Sequence, residues 1–103
     1  MIIVNTTFIL HTGISDNVLN WVKSAYLASA VHCGALPEHT LIAKILAAPS
    51  PETLSFALHT CFNDAVSAKK WGEGVGASLR QKLTERWGEK ALAFHTYLEP
   101  FSI

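Results

Sequence analysis

Charge is what this chain has least of. Lys and Arg number eight, Asp and Glu number eight, and together they make 16% of 103 residues with a formal net charge of zero. Globular domains usually carry about a quarter. A chain without a basic excess offers a phosphate backbone no electrostatic footprint, so no nucleic-acid partner is expected. Long apolar runs are missing too. Nothing approaches the roughly 20 unbroken apolar residues of a membrane span, so no membrane partner is expected either. Asn5, Thr6 and Thr7 interrupt the apolar N-terminus, and no Lys or Arg precedes it, so it does not read as a signal peptide. Cysteine is limited to Cys33 and Cys61, whose spacing matches no metal or redox motif. Free thiols in a reducing cytoplasm are expected, with no metal and no cofactor.

Apolar residues, in contrast, are half the chain. A chain of this length makes a single domain, 1–103, with its own core. The surplus of apolar surface over charge needs an outlet. Oligomer interfaces lose charge and gain aromatics at their centres, which points to a homodimer. Six of the eight basic residues fall at Lys69, Lys70, Arg80, Lys82, Arg86 and Lys90, with Glu73, Glu85 and Glu89 among them. This run reads as the solvated face of a helix, with a surface for an acidic partner as the competing reading.

Local signals give the element order. Ile2 to His11 reads as a strand that stops at Thr12-Gly13. Ser15 and Asp16 are good N-caps for a helix carrying Val18, Trp21, Val22, Ala25, Ala28 and Val31 on one stripe. Gly34 closes it and Pro37 prevents its return. Thr40 to Ala48 is short, apolar and bounded by prolines, which fits a strand, and Lys44 suits a sheet edge. Pro49 to Glu52 then connects a hairpin to Leu54 to Phe62, the cleanest strand. Asn63 or Asp64 can cap a second helix reaching Trp87, with Gly88 as its stop. Gly72, Gly74 and Gly76 lie inside it, each worth about 1 kcal/mol against helix, so a kink, a break or a close contact is expected there. Ala91 to Leu98 is the last strand. Strand, helix, strand, strand, helix, strand is the α+β, ferredoxin-like βαββαβ arrangement: a four-stranded antiparallel sheet in the order 4-1-3-2, with two helices on one face.

Three of the strands alternate, and alternation divides a sheet into two faces. Bulk assigns Val4, Phe8, Leu10, Phe56, Leu58, Phe62, Phe94 and Leu98 to the helix side. Asn5, Thr7, His59, Cys61, His95 and Tyr97 then share the open side and are the expected ligand-binding set. His59 and His95 would flank the first strand about 10 Å apart and bracket a small ligand, one of them acting as general base near neutral pH. Catalytic candidates are therefore His59 and His95.

Particular stretches are familiar. Met1-Ile2-Ile3-Val4-Asn5-Thr6-Thr7-Phe8, Trp21-Val22 with Tyr26-Leu27, Glu85-Arg86-Trp87-Gly88-Glu89-Lys90-Ala91-Leu92 and Thr96-Tyr97-Leu98-Glu99 resemble the recurring pieces of a small bacterial family. That family is domain of unknown function forty-two eighty-six. The resemblance implies one ferredoxin-like domain and carries over no catalytic residue. Two readings of function follow. The first is a homodimer that binds a small molecule or a protein partner through the open sheet face. The alternative is a cofactor-independent, monooxygenase-like enzyme of the dimeric ferredoxin-like kind, using His59 and His95.

Overall fold

Strict alternation makes the first element. Val4, Thr6, Phe8 and Leu10 are fully buried, and half-buried Ile3, Asn5, Thr7 and Ile9 lie between them, so Ile2–His11 is a ten-residue strand, β1. The computed structural model describes residues 1–46 and 50–103. In it β1 lies between two antiparallel neighbours, Thr53–Phe62 (β3) and Ala91–Leu98 (β4). Leu41–Lys44 (β2) pairs with the far side of β3, so the sheet order is β2-β3-β1-β4. Ala47, Ala48 and Pro49, which belong to the expected second strand and its connection, lie outside the described residues.

The first helical rod begins one step earlier than its capping residues suggest. Thr12–Ile14 forms a 3-10 turn, capped by the His11 Nδ1, which accepts from the Gly13 amide at 3.1 Å. Ser15 is the first residue of helix α1 (Ser15–Trp21) and not its cap; its hydroxyl donates back to the Thr12 carbonyl at 2.9 Å. The rod continues through a π-type segment, Val22–Tyr26, into α2 (Leu27–His32). Its buried residues are Val18, Val22, Tyr26 and Ala30. A strict step of four drifts around a 3.6-residue helix, and the wider π turn takes up that drift. Tyr26 and Ala30 consequently face the core, whereas Ala28 and Val31 of the expected stripe face solvent. The rod ends in a Schellman turn: Ala35 N–H donates to Ala30 at 2.9 Å, Gly34 N–H to Val31 at 3.1 Å, and Gly34 has φ +112°.

The second rod is two helices, α3 (Ala65–Glu73) and α4 (Val75–Trp87), broken at Gly74. Asp64 caps α3, its Oδ1 accepting from the Ser67 amide at 2.7 Å, and Gly88 at φ +58° ends α4. Val18, Val22, Tyr26, Trp71 and Leu83 from the rods join Val4, Phe8, Leu10, Phe56, Leu58 and Phe62 in one core. The architecture is the ferredoxin-like βαββαβ fold, with both rods on one side of the sheet.

One strand corrects the sequence reading. The register pairs Leu10 with Ala91, Phe8 with Ala93, Thr6 with His95 and Val4 with Tyr97. Directly paired residues share a face. Ala91, Ala93, His95 and Tyr97 therefore look toward the helices, while Leu92, Phe94, Thr96 and Leu98 look away from them. Bulk decides the inner face of β1 and β3 but not of β4, against which α4 lies. Ala91 and Ala93 leave room for the helix. Tyr97 is admitted because Gly72 has no side chain: a Cβ there would stand 2.5 Å from the Tyr97 hydroxyl.

Candidate functional site

The six residues expected on one face are divided by the sheet. On the open side Asn5 lies at the centre, paired with His59 of β3 on one flank and Thr96 of β4 on the other. Thr7 is the next residue on that face, between Ala57 and Phe94, and Ile3 lies between Cys61 and Leu98. The Asn5 amide donates to the Thr7 hydroxyl at 3.4 Å, and its Oδ1 is buried without a partner among the described residues. Leu41 of β2 flanks His59. The surroundings are greasier than a polar set would suggest: Leu41 is 55% exposed, Leu92 53%, Phe94 52% and Leu98 40%. Reading β4 by bulk hid this apolar side, and hid Thr96 with it.

Cys61 closes one end of the open face. The Pro37–His39 turn folds over it, with the Leu36 amide donating to the Cys61 carbonyl at 2.8 Å and the thiol donating to the His39 carbonyl at 3.4 Å. Burial pushes the Cys61 thiol pKa up, against a small opposing effect of the N-terminal amine. The sulfur is a covered thiol, not an activated nucleophile.

His95 and Tyr97 sit on the opposite side, beneath the second rod, so no ligand on the open face can be bracketed by His59 and His95. What surrounds His95 and Tyr97 is a polar seam centred on Arg80 of α4. Arg80 Nη1 donates to the Tyr26 hydroxyl at 2.8 Å and Nη2 to the Gly72 carbonyl at 2.6 Å. An arginine only donates. The Tyr26 oxygen is therefore the acceptor and its own proton is free for Thr6 Oγ1, 3.0 Å away. Trp71 Nε1 donates to Ser29 at 3.2 Å, and the Ser29 hydroxyl donates to the Tyr26 carbonyl at 2.8 Å.

Three of the perturbed titratable groups belong to this seam. Burial raises the Tyr26 pKa, outweighing its bond to Thr6 and the Arg80 charge. His95, edge-on to the Tyr97 ring at 5.3 Å, has its pKa lowered by burial and then by Arg80, with Glu73 opposing. The Tyr97 pKa is raised by burial and then by Glu73. Its hydroxyl is buried and has no hydrogen-bond partner among the described residues. Neutral forms of all three are favoured at pH 7. The seam's first task is structural: the Gly74 break deprives the Gly72 carbonyl of a helical partner, and Arg80 supplies one.

The sequence reading missed Arg80, which hides in a basic run, and Tyr26, which the expected stripe skipped. Thr6 was the available signal, a hydroxyl on an otherwise apolar strand face that needs a buried partner. Among the described residues no group of three or more His, Cys, Asp or Glu side chains could hold a metal ion. No helix of the described residues is long and apolar enough to cross a membrane.

Sheet order and one-sided helices define the class, a small α+β domain of ferredoxin-like fold. Residues 1–101 match the family model described as Domain of unknown function (DUF4286), and the chain belongs to that family. A solved structure, that of a dimeric ferredoxin-like protein from an uncultured marine organism, is similar with a TM-score of 0.56 and 14% identity. The match covers 98% of this chain and 96% of that one. At such identity the likeness shows the fold alone. No curated protein matches the chain.

Proposed function

We propose that the protein works as a homodimer whose two sheets meet open face to open face. A small molecule or a protein partner is then bound between them against Asn5, Thr7 and His59, with Cys61 at the margin. One observation carries the reading: Leu41, Leu92, Phe94 and Leu98 stand on the face that no helix of the described residues covers. Large apolar side chains exposed along both edges of one face mark an interaction site, and a two-fold pairing of that face with its own copy is the commonest way to cover it. The scarcity of charge supports the same reading, as does the description of the similar solved protein as dimeric. Two free cysteines support a cytoplasmic setting.

The test is the mass in solution of the wild type, Phe94→Asp and Leu41→Asp, measured by light scattering with circular dichroism as the check on folding. The wild type is expected at twice the 11.2 kDa chain mass, or at four times where a second surface also pairs, and both folded variants below the wild-type mass. A wild type that stays monomeric, or folded variants that keep the wild-type mass, would defeat the proposal.

A further inference from the structure

The two edges of the sheet are built differently. β2 has four residues, ends on Lys44 and is short enough to offer little backbone. β4 is eight residues, Ala91 to Leu98, paired with β1 in unbroken register and therefore free of a bulge. It contains no Lys, Arg, Asp, Glu or Pro, and its single titratable imidazole, His95, has a depressed pKa. Sheet proteins guard their edges with short strands, charge, proline or bulges. The β2 edge uses two of these devices and the β4 edge uses none. In an antiparallel pair every second residue of β4 turns its N–H and C=O toward β1, and the others point outward.

We propose that the β4 edge pairs antiparallel with β4 of a second copy of this chain about a two-fold axis, joining two four-stranded sheets into one. Several observations favour a second copy as occupant. The strand is free of formal charge at neutral pH, so self-pairing opposes no like charges. Opposed residues must share a face, so their numbers sum to an even total. An axis at His95 sets Leu92 opposite the partner's Leu98, and Phe94 opposite the partner's Thr96. Leu92 and Leu98 then meet apolar partners, Phe94 stands between them opposite a threonine, and the open apolar faces of the two sheets become continuous. An axis at Phe94 would instead oppose Leu98 to the partner's Lys90. This edge pairing does not rest on the face-to-face reading. Used together, the two surfaces would close a tetramer.

Amide hydrogen exchange read by NMR at several protein concentrations tests the proposal, on the wild type and on Leu41→Asp. Leu41 lies on the opposite edge strand, so its substitution disturbs face pairing and not the β4 edge. The expected result is that the outward amides of β4 slow at least tenfold as concentration rises, in both proteins. Outward amides that exchange at one rate at every concentration would overturn it. If light scattering still reports a dimer in that case, the face reading stands alone. Slowing that disappears in folded Leu41→Asp would also overturn the edge pairing. Slowing that persists there with the mass unchanged from the wild type would instead remove the face reading.

Discussion

Arg80 Nη2 donates to the Gly72 carbonyl at 2.6 Å, across the break at Gly74 that divides the second helical rod. The contact joins α4 back to α3, and through Tyr26 it ties both to the first rod.

Replacing Arg80 with Met keeps much of the aliphatic stem and removes both bonds. The Gly72 carbonyl then loses its replacement partner, and Tyr26 loses its donor. The expected loss is about 1–3 kcal/mol of unfolding free energy, measured by urea denaturation at fixed protein concentration. Arg80→Lys should recover only part of it, because one ammonium cannot span both acceptors as the planar fork does.

Gly72 and Tyr97 form a second coupled pair. A methyl at position 72 would meet the Tyr97 hydroxyl at 2.5 Å and its Cε1 at 3.1 Å. Gly72→Ala is expected to destabilise by about 1–3 kcal/mol despite the better helix propensity of alanine. Tyr97→Phe removes a buried hydroxyl that has no partner among the described residues. On its own it should leave stability unchanged or raise it by up to about 1 kcal/mol. The double variant should lose less than the sum of the singles, which a double-mutant cycle in denaturant reads directly.

The thiols should separate by rate. Cys33 is exposed, whereas Cys61 is buried, bonded to the His39 carbonyl and raised in pKa. In the native protein a chromogenic disulfide reagent should modify one thiol quickly, and Cys33→Ser should abolish that phase. The second thiol should react only as the protein opens. Two equally fast thiols would contradict the burial of Cys61.

His95 gives stability a pH dependence of defined sign. Burial and Arg80 lower its folded pKa below the ordinary 6.5. The unfolded chain thus binds more protons than the folded one between the two values, so stability rises with pH through that window. The contribution is complete above about pH 6.5 and is lost as pH falls toward the folded value. In His95→Gln the slope just below pH 6.5 should flatten, in denaturation midpoints taken across pH 5 to 8 as a check of the histidine range. Asp64, whose bond to the Ser67 amide lowers its pKa, acts in the same direction at a more acidic pH.

Much of the fold was legible because its signals are local or depend on bulk alone. Gly34 and Gly88 mark helix ends through their backbone conformations, Asp64 caps through its nearest amides, and Lys44 guards an edge. The central strands β1 and β3 show their inner faces because both are covered by large apolar side chains. β4 does not, since its inner face is shaped by the approach of α4. That approach depends on Gly72, Ala91 and Ala93, which are remote in sequence and uninformative one at a time. The same non-local fit moved His95 and Tyr97 away from His59. It also turned Arg80 inward from a run of basic residues that otherwise resembles a solvated face. The glycine cluster was recognisable as a disturbance, but its form, a break at Gly74 with Tyr97 seated on Gly72, required the partner strand.

β4 presents Leu92, Phe94 and Leu98 on the side of the sheet away from the helices, and in the proposed assembly a second copy covers them. An isotope-filtered NMR experiment on a mixture of labelled and unlabelled chains observes that contact directly. Intermolecular nuclear Overhauser effects are predicted from the Phe94 ring protons to methyl groups of the open face of the other chain. Their absence in a sample of dimeric mass, with Phe94 showing only intramolecular effects to the helical layer, would contradict it.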